Sequence, residues 1–172
     1  IATAGSGGDV RTWDGSSGAA LARLPHPCVV KNADFSEDGR ALLTDCDDRV
    51  VRVWDPARAA LIASLPHTAA VTFAWMTADR KRVLTGTADN TAHVWTLGPG
   101  GRVISHVEVP HQDDLQEAHV GLDGRRVLTL ASYEARLWDI GDDLRPTLLE
   151  SWIDVNHIDI SPDGKFAVLA TG

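Results

Sequence analysis

Two sets of histidine, threonine and aspartate recur in the same order and at the same spacing, and these residue types can do acid–base chemistry. The sets are His26, Thr44 and Asp48, and His67, Thr85 and Asp89. A histidine that shares hydrogen bonds with a hydroxyl and a carboxylate has the arrangement of a hydrolytic triad. An enzyme needs one such site, whereas a network that stabilises a structural unit is needed in every copy of that unit. The repetition therefore predicts a structural role. The sequence also lacks GxSxG, HExxH and Walker motifs, so we predict no catalytic residue.

Clustered carboxylates could bind calcium through their oxygen atoms. Asp45, Asp47 and Asp48 form one cluster, and Asp113 and Asp114 form another. Neither has the DxDxDG spacing of a calcium loop, so we predict solvated acidic loops, no metal site and no cofactor. Such loops would give one face of the molecule a negative potential that favours basic partners.

The two cysteines, Cys28 and Cys46, are too few for a disulfide framework, and their spacing does not indicate a zinc site. If residues 29–35 and 41–46 form a hairpin, both sulfur atoms lie toward the same end of it, which would allow a disulfide. We expect instead two reduced, partly buried thiols in an intracellular protein.

These residues belong to a unit that repeats along the chain. The segment FSEDGRALLTDCDDRVVRVWD, residues 35–55, contains three apolar runs separated by polar turns, which predicts three antiparallel strands. Its tryptophan recurs at intervals of 41, 41 and 43 residues, as Trp13, Trp54, Trp95 and Trp138. Two more markers keep this register: a proline–histidine pair at His26, His67 and His111, and a turn at Asp38, Asp79, Asp123 and Asp163. Such a period is typical of repeat architectures.

The chain resembles the WD-repeat family of β-propellers along nearly its whole length. The resemblance rests on FSEDGR, MTADRK, GLDGRR and SPDGK at the first turn, and on TWDG, RVWD, HVWT and RLWD at the end of the third strand. It implies an all-β fold of four-stranded antiparallel blades, each with a buried hydrogen-bonded set of histidine, serine or threonine, aspartate and tryptophan. Two copies match it completely: His26, Thr44, Asp48 and Trp54, and His67, Thr85, Asp89 and Trp95.

Two other copies depart from the family's pattern. One has His111, Thr129 and Trp138, but its corner is a residue shorter and Ser132 stands at the aspartate position. The first copy has Thr3 and Trp13, with Gly7 at the aspartate position. We expect weaker corners in these two blades.

The repeat register predicts a single propeller segment over residues 1–172, with about three complete blades at 29–65, 70–109 and 115–149 and partial blades at 1–24 and 154–172. Rings of this family most often need about seven blades, and an open arc would expose unpaired sheet edges. We therefore expect a fragment of a longer propeller. The alternative is a homodimer in which two chains complete one ring.

Composition narrows the range of partners. The net charge of −8 and the pI of about 5.2 argue against a nucleic acid or an anionic membrane as the main partner. No apolar run is long enough to span a membrane, so we expect a cytoplasmic protein. Thirteen of the 16 basic residues are arginine, which suggests GC-rich coding and a bacterial source.

Residues that the blade pattern does not fix are candidates for partner binding. At the rim of the propeller, four pairs of such residues are expected: Lys31 and Asn32, Thr72 and Phe73, Gln116 and Glu117, and Asn156 and His157. Trp152 is a further candidate, because counting back from Asp163 places it in a loop between blades. A tryptophan at a rim could anchor a partner, or it could be buried against the next blade.

The predicted function is that of a non-enzymatic scaffold. It would bind a protein, a peptide or a neighbouring domain of the same chain. Bacterial repeats that resemble this one occur beside kinase, nucleotidase or protease-like modules, which favours a sensor or regulatory role in signalling. The alternatives are a propeller that binds a small ligand or a metal, and a propeller enzyme.

Overall fold

The computed structural model describes residues 1–5, 8–36, 38–161 and 163–171, and builds them into five antiparallel sheets. The sheets follow one another along the chain, and each is assembled from consecutive strands. This is a partial β-propeller, which confirms the predicted fold class.

The strand bounds are as follows, sheet by sheet. The first sheet contains β1 (Ala2–Ala4), β2 (Asp9–Trp13) and β3 (Ala20–Pro25), and the second contains β4 (Val30–Phe35), β5 (Leu42–Cys46), β6 (Val50–Asp55) and β7 (Ala60–Pro66). The third contains β8 (Val71–Met76), β9 (Arg82–Thr87), β10 (Thr91–Leu97) and β11 (Val103–Pro110), and the fourth contains β12 (Leu115–Val120), β13 (Arg126–Ala131), β14 (Glu134–Ile140) and β15 (Pro146–Trp152). The fifth contains β16 (Val155–Ile160) and β17 (Ala167–Thr171), and a single 3₁₀ turn, Pro99–Gly101, lies between β10 and β11.

The hydrophobic core is divided among the spaces between successive sheets. Leu24 of the first sheet packs with Leu42 and Trp54 of the second in one buried cluster. Three more clusters fill the second-to-third, third-to-fourth and fourth-to-fifth interfaces. A sheet that is apolar on both faces must be covered on both, so each blade depends on its neighbours for stability.

The turn between the first two strands of each blade is held in the same way in the four copies where it occurs. The aspartate of the turn accepts a hydrogen bond from the backbone N–H two residues later, as Asp38 does from Arg40 at 3.1 Å and Asp123 from Arg125 at 2.8 Å. The residue between them has positive φ, +68° at Gly39 and +71° at Gly124, which explains the Asp-Gly sequence. Arg80 adopts φ +58° at this position without being glycine.

The shorter corner of the fourth sheet is a two-residue hairpin. Ser132 and Tyr133 both have positive φ, +46° and +67°, and Ala131 pairs directly with Glu134 across them. Two consecutive residues with positive φ define a type I′ turn, whose twist matches that of the strands. The missing aspartate is therefore replaced by a tighter turn.

Trp152 does not lie in a loop, so its predicted location is wrong. It is the last residue of β15 and pairs with Ala135. The residues at the same register position in the other sheets are Leu24, Leu65 and Val109, each 0% exposed. Trp152 is half-buried in the cluster between the fourth and fifth sheets. Counting back from Asp163 gave the wrong location because two residues separate β15 from β16, whereas four separate β3 from β4.

The expectation of reduced thiols is also wrong, because Cys28 and Cys46 form a disulfide. Their Cα atoms are 5.9 Å apart. Cys28 precedes β4 and Cys46 ends β5, and Val30 pairs with Cys46 across this hairpin. The hairpin register therefore brings the two sulfur atoms to the same end, as the alternative interpretation required.

Candidate functional site

A buried histidine–threonine–tryptophan set connects neighbouring blades. His26 follows the last strand of the first sheet, and its Nε2 lies 2.8 Å from Oγ1 of Thr44 on β5 of the second sheet. Trp54 donates its indole N–H to the same oxygen at 3.1 Å. His26 Nδ1 lies 2.8 Å from the Leu24 carbonyl, so Nδ1 carries the proton and Nε2 accepts from the threonine hydroxyl.

The same set recurs in the next two blades. Nε2 of His67 lies 2.7 Å from Thr85 Oγ1, and Nε2 of His111 lies 2.8 Å from Thr129 Oγ1. The matching tryptophan bonds are 3.3 Å at Trp95 and 2.9 Å at Trp138, and in the first sheet Trp13 donates to Thr3 at 2.9 Å. The bonds of the set at His111 are as short as those of the other sets, and the weaker corner expected in that blade stays a prediction. The Gly7 position lies outside the described residues.

The aspartates do not join these sets, which corrects the four-membered network that the resemblance implied. Asp48 forms an ion pair with Arg52 at 2.5 Å and accepts the Val50 N–H at 3.1 Å. Asp89 accepts from Thr87 at 2.5 Å and Thr68 at 3.4 Å. Each carboxylate is thus bonded to a guanidinium or hydroxyl donor and not to the histidine ring. In His26 the ring Nδ1 is already hydrogen-bonded to the backbone carbonyl of Leu24.

Burial also decides what these sets can do chemically. The threonine side chains are at most 1% exposed at Thr44, Thr85 and Thr129, so no substrate can reach their hydroxyls. Burial lowers the pKa of His26, His67 and His111, which keeps the imidazoles neutral. Each set therefore acts as a hydrogen-bonded contact between blades.

The predicted rim residues all lie at one structural feature, a β-bulge near the start of the first strand of each blade. The register shifts between Val30 and Asn32, between Val71 and Phe73, between Leu115 and Glu117, and between Val155 and His157. The residues within the bulges are Lys31, Thr72, Gln116 and Asn156, and all four are exposed. A bulge bends the strand and redirects its side chains, and bulges are common next to functional sites.

Beyond the bulge, every second residue of these strands adds to the same surface, which we call the inner-strand surface. It comprises the bulge residues named above together with Asn32, Asp34, Phe73, Trp75, Glu117, His119, His157 and Asp159. Asp34, Trp75, His119 and Asp159 were not among the predicted rim residues. Their signal was the alternation of side chains along a strand, which places residues i and i+2 on one face.

Contacts link this surface from blade to blade at its fourth and fifth sheets. Glu117 accepts from His119 Nε2 at 3.0 Å and lies 3.1 Å from His157 Nδ1 of the next blade. The Glu117 oxygen near His157, Oε2, also accepts the backbone N–H of Ile158 at 3.3 Å. Asp159 lies 3.7 Å from His119 Nδ1, so two carboxylates and two imidazoles form one cluster.

The second and third sheets present different chemistry at the equivalent positions. Asn32 pairs across the strands with Asp45, a 3% exposed aspartate whose pKa is raised by burial. Phe73 pairs with Gly86, and its ring occupies the space that a Cβ of Gly86 would need. A polar, acidic part of the surface is therefore followed by an aromatic part.

Successive four-stranded sheets, joined by a recurring hydrogen-bonded set, define this chain as a β-propeller built from sequence repeats. The model of the WD domain, G-beta repeat family (WD40) matches residues 19–55 and 60–96. These two segments are WD repeats, which supports the resemblance of the chain to the WD-repeat family. WD repeats generally act as scaffolds that bind proteins or peptides. No curated protein shows a significant match to the chain.

Among the described residues, no helix is long and apolar enough to cross a membrane.

Proposed function

We propose that the inner-strand surface binds a basic segment of another protein, or of another domain of the same chain, and that the propeller works as the regulatory part of a signalling protein. The observation that carries the proposal is the bulge shared by four blades. The bulge repeats, but the two side chains at it differ in every blade. They are lysine and asparagine in the second sheet, threonine and phenylalanine in the third, glutamine and glutamate in the fourth, and asparagine and histidine in the fifth. A repeated frame with varied exposed residues suits a specific binding surface.

Charge indicates the chemistry of the partner. The inner-strand surface carries Asp34, Glu117 and Asp159 against the single lysine Lys31, and the chain as a whole has a net charge of −8. A lysine- or arginine-containing segment would complement these carboxylates, and the half-buried rings of Phe73 and Trp75 would contact its apolar or aliphatic portions.

The proposal is tested with a defined library of displayed peptides and purified chain. We expect enrichment of peptides with basic residues, and a loss of affinity of about tenfold or more in the double variant Glu117→Gln/Asp159→Asn. Asp142→Asn is the matched control, because Asp142 is an acidic residue that is 99% exposed on the turn after β14. Equal losses in both variants would indicate only a general charge effect, and unchanged binding in the double variant would refute the assignment of this surface.

We also propose that the five sheets form one segment of a closed ring, completed by further blades or by a second copy of the chain. The support is the ring architecture of the family, in which each blade is covered by neighbours on both faces. Light scattering on the purified chain distinguishes the two forms: a dimer supports completion by a second copy, and a monomer contradicts it.

A further inference from the structure

A second cluster of ligand-type side chains lies on the outer half of the third sheet, away from the inner-strand surface. His93 is on β10, and His106 and Glu108 are on β11. In the register of these two strands His93 is directly opposite Glu108, and His106 is opposite Trp95. The ligand atoms of the three residues all lie within 4.8 Å of one another.

The repeat supplies an internal comparison for this cluster. Strand pairing places Arg11, Arg52 and Arg136 in the other blades at the position of His93. The positions of His106 and Glu108 are occupied by Ala20 and Arg23 in the first sheet, Leu61 and Ser64 in the second, and Leu148 and Ser151 in the fourth. None of these nine residues is a histidine or a carboxylate. One blade thus has metal-ligating residues at three neighbouring positions where the repeat elsewhere has none.

Hydrogen bonds orient the His93 ring for ligation. Its Nε2 lies 3.0 Å from Thr87 Oγ1, and that hydroxyl lies 2.5 Å from Asp89 Oδ1. Because the ionised carboxylate can only accept, Thr87 donates to Asp89 and accepts from His93 Nε2–H. Nδ1 of His93 therefore keeps its lone pair and faces the other two residues. Metal-binding histidines commonly donate their second ring N–H in this way.

The other two side chains can reach the same point. His93 Nδ1 is 3.0 Å from His106 Nε2 and 3.9 Å from Glu108 Oε1. Two ligands of a tetrahedral ion with bonds of about 2.0–2.1 Å lie about 3.3 Å apart, so little movement is needed. The His106 ring is held by stacking on Trp95, with centroids 3.6 Å apart, while the Glu108 side chain is 62% exposed and free to turn.

We propose that His93, His106 and Glu108 bind a divalent transition-metal ion of the zinc class. Two imidazole nitrogens and one carboxylate oxygen suit zinc, cobalt, nickel or copper(II) rather than calcium or magnesium. Three protein ligands leave a fourth position for water or for a ligand from a partner. On binding, the ion replaces the hydrogen bond between the two rings, and the proton on His106 moves from Nε2 to Nδ1, so no net proton release from this pair is required.

The test is isothermal titration calorimetry of the tag-free, oxidised chain with zinc chloride. A parallel titration with cobalt is monitored by visible absorption. Oxidation matters because the Cys28–Cys46 disulfide then contributes no thiolate ligand. We expect one zinc ion per chain and a cobalt spectrum of four-coordinate type. Affinity should fall at least tenfold in Glu108→Ser and further in His106→Leu.

These two variants introduce residues that other blades carry at the same positions, so they should fold, which is checked by circular dichroism without metal. His157→Ala is the matched control, because it removes a histidine from the other histidine–carboxylate cluster. The proposal is overturned if zinc does not bind, if His106→Leu binds as tightly as the parent chain, or if His157→Ala is the variant that loses zinc.

Discussion

Replacing Thr129 by valine should destabilise the chain strongly, although the two side chains have nearly the same shape. Thr129 is 0% exposed. Its hydroxyl donates to His111 Nε2 at 2.8 Å and accepts the indole N–H of Trp138 at 2.9 Å. Valine would leave a ring nitrogen and an indole N–H without their partner. Each unsatisfied buried group costs about 1–3 kcal/mol, so for two such groups we expect the free energy of unfolding to fall by roughly 2–6 kcal/mol. Urea denaturation followed by tryptophan fluorescence measures the change.

Thr12→Val is the control that separates the hydrogen bond from the change of side chain. Thr12 is 3% exposed, and its hydroxyl has no hydrogen-bond partner among the described residues. Valine already occupies the equivalent position at Val53 and Val94. This variant should therefore be neutral, or stabilising by up to about 1 kcal/mol, because an unpaired buried hydroxyl is lost. Equal effects of the two variants would refute the role given to the threonine set.

Three further predictions concern pH, the disulfide and the aromatic part of the inner-strand surface. Burial lowers the pKa of His111 below its usual 6.5, so as pH falls the unfolded chain takes up this proton before the folded chain does. The contribution of His111 to the free energy of unfolding should therefore be full above pH 6.5 and decline as pH falls below it. In urea titrations at pH 7 and pH 5, His111→Gln should reduce this difference in stability. Reducing the Cys28–Cys46 bond, whose residues are 18 positions apart, should lower the free energy of unfolding by about 3 kcal/mol, and an unchanged midpoint with dithiothreitol would contradict this. Gly86→Ala should lower the free energy of unfolding by about 1–3 kcal/mol, because the new methyl group displaces the Phe73 ring. In thermal melts, the double variant Gly86→Ala/Phe73→Ala should recover part of that loss.

The sequence was sufficient to predict the fold because the repeat markers lie at positions with a fixed structural task. The turn aspartates, such as Asp38, bond to the backbone at the first hairpin, and the tryptophans, such as Trp54, bond to a buried threonine. Periodicity located both. It also located the start of each inner strand closely enough that every predicted rim pair contains a bulge residue.

The location of Trp152 was predicted wrongly because counting along the chain assumes that every copy has the same connections. The link between β15 and β16 is shorter than the others, and this moved Trp152 from the expected loop to a paired strand position. The hydrogen bonds of Asp48 were missed for a different reason. Which donor a carboxylate selects depends on nearby side chains, here Arg52, and not on spacing within the motif.

The repeat also indicates where function should be sought. Positions that hold the blades together keep their chemistry from copy to copy, as the threonines at Thr44, Thr85 and Thr129 do. A change of chemistry at one position alone can be incidental. At the outer strands of the third sheet three neighbouring positions change together, and all three become metal-ligating types. On the inner strands the change occurs at every bulge. The first pattern fits one small ligand bound to one blade, and the second fits an extended partner that spans several blades.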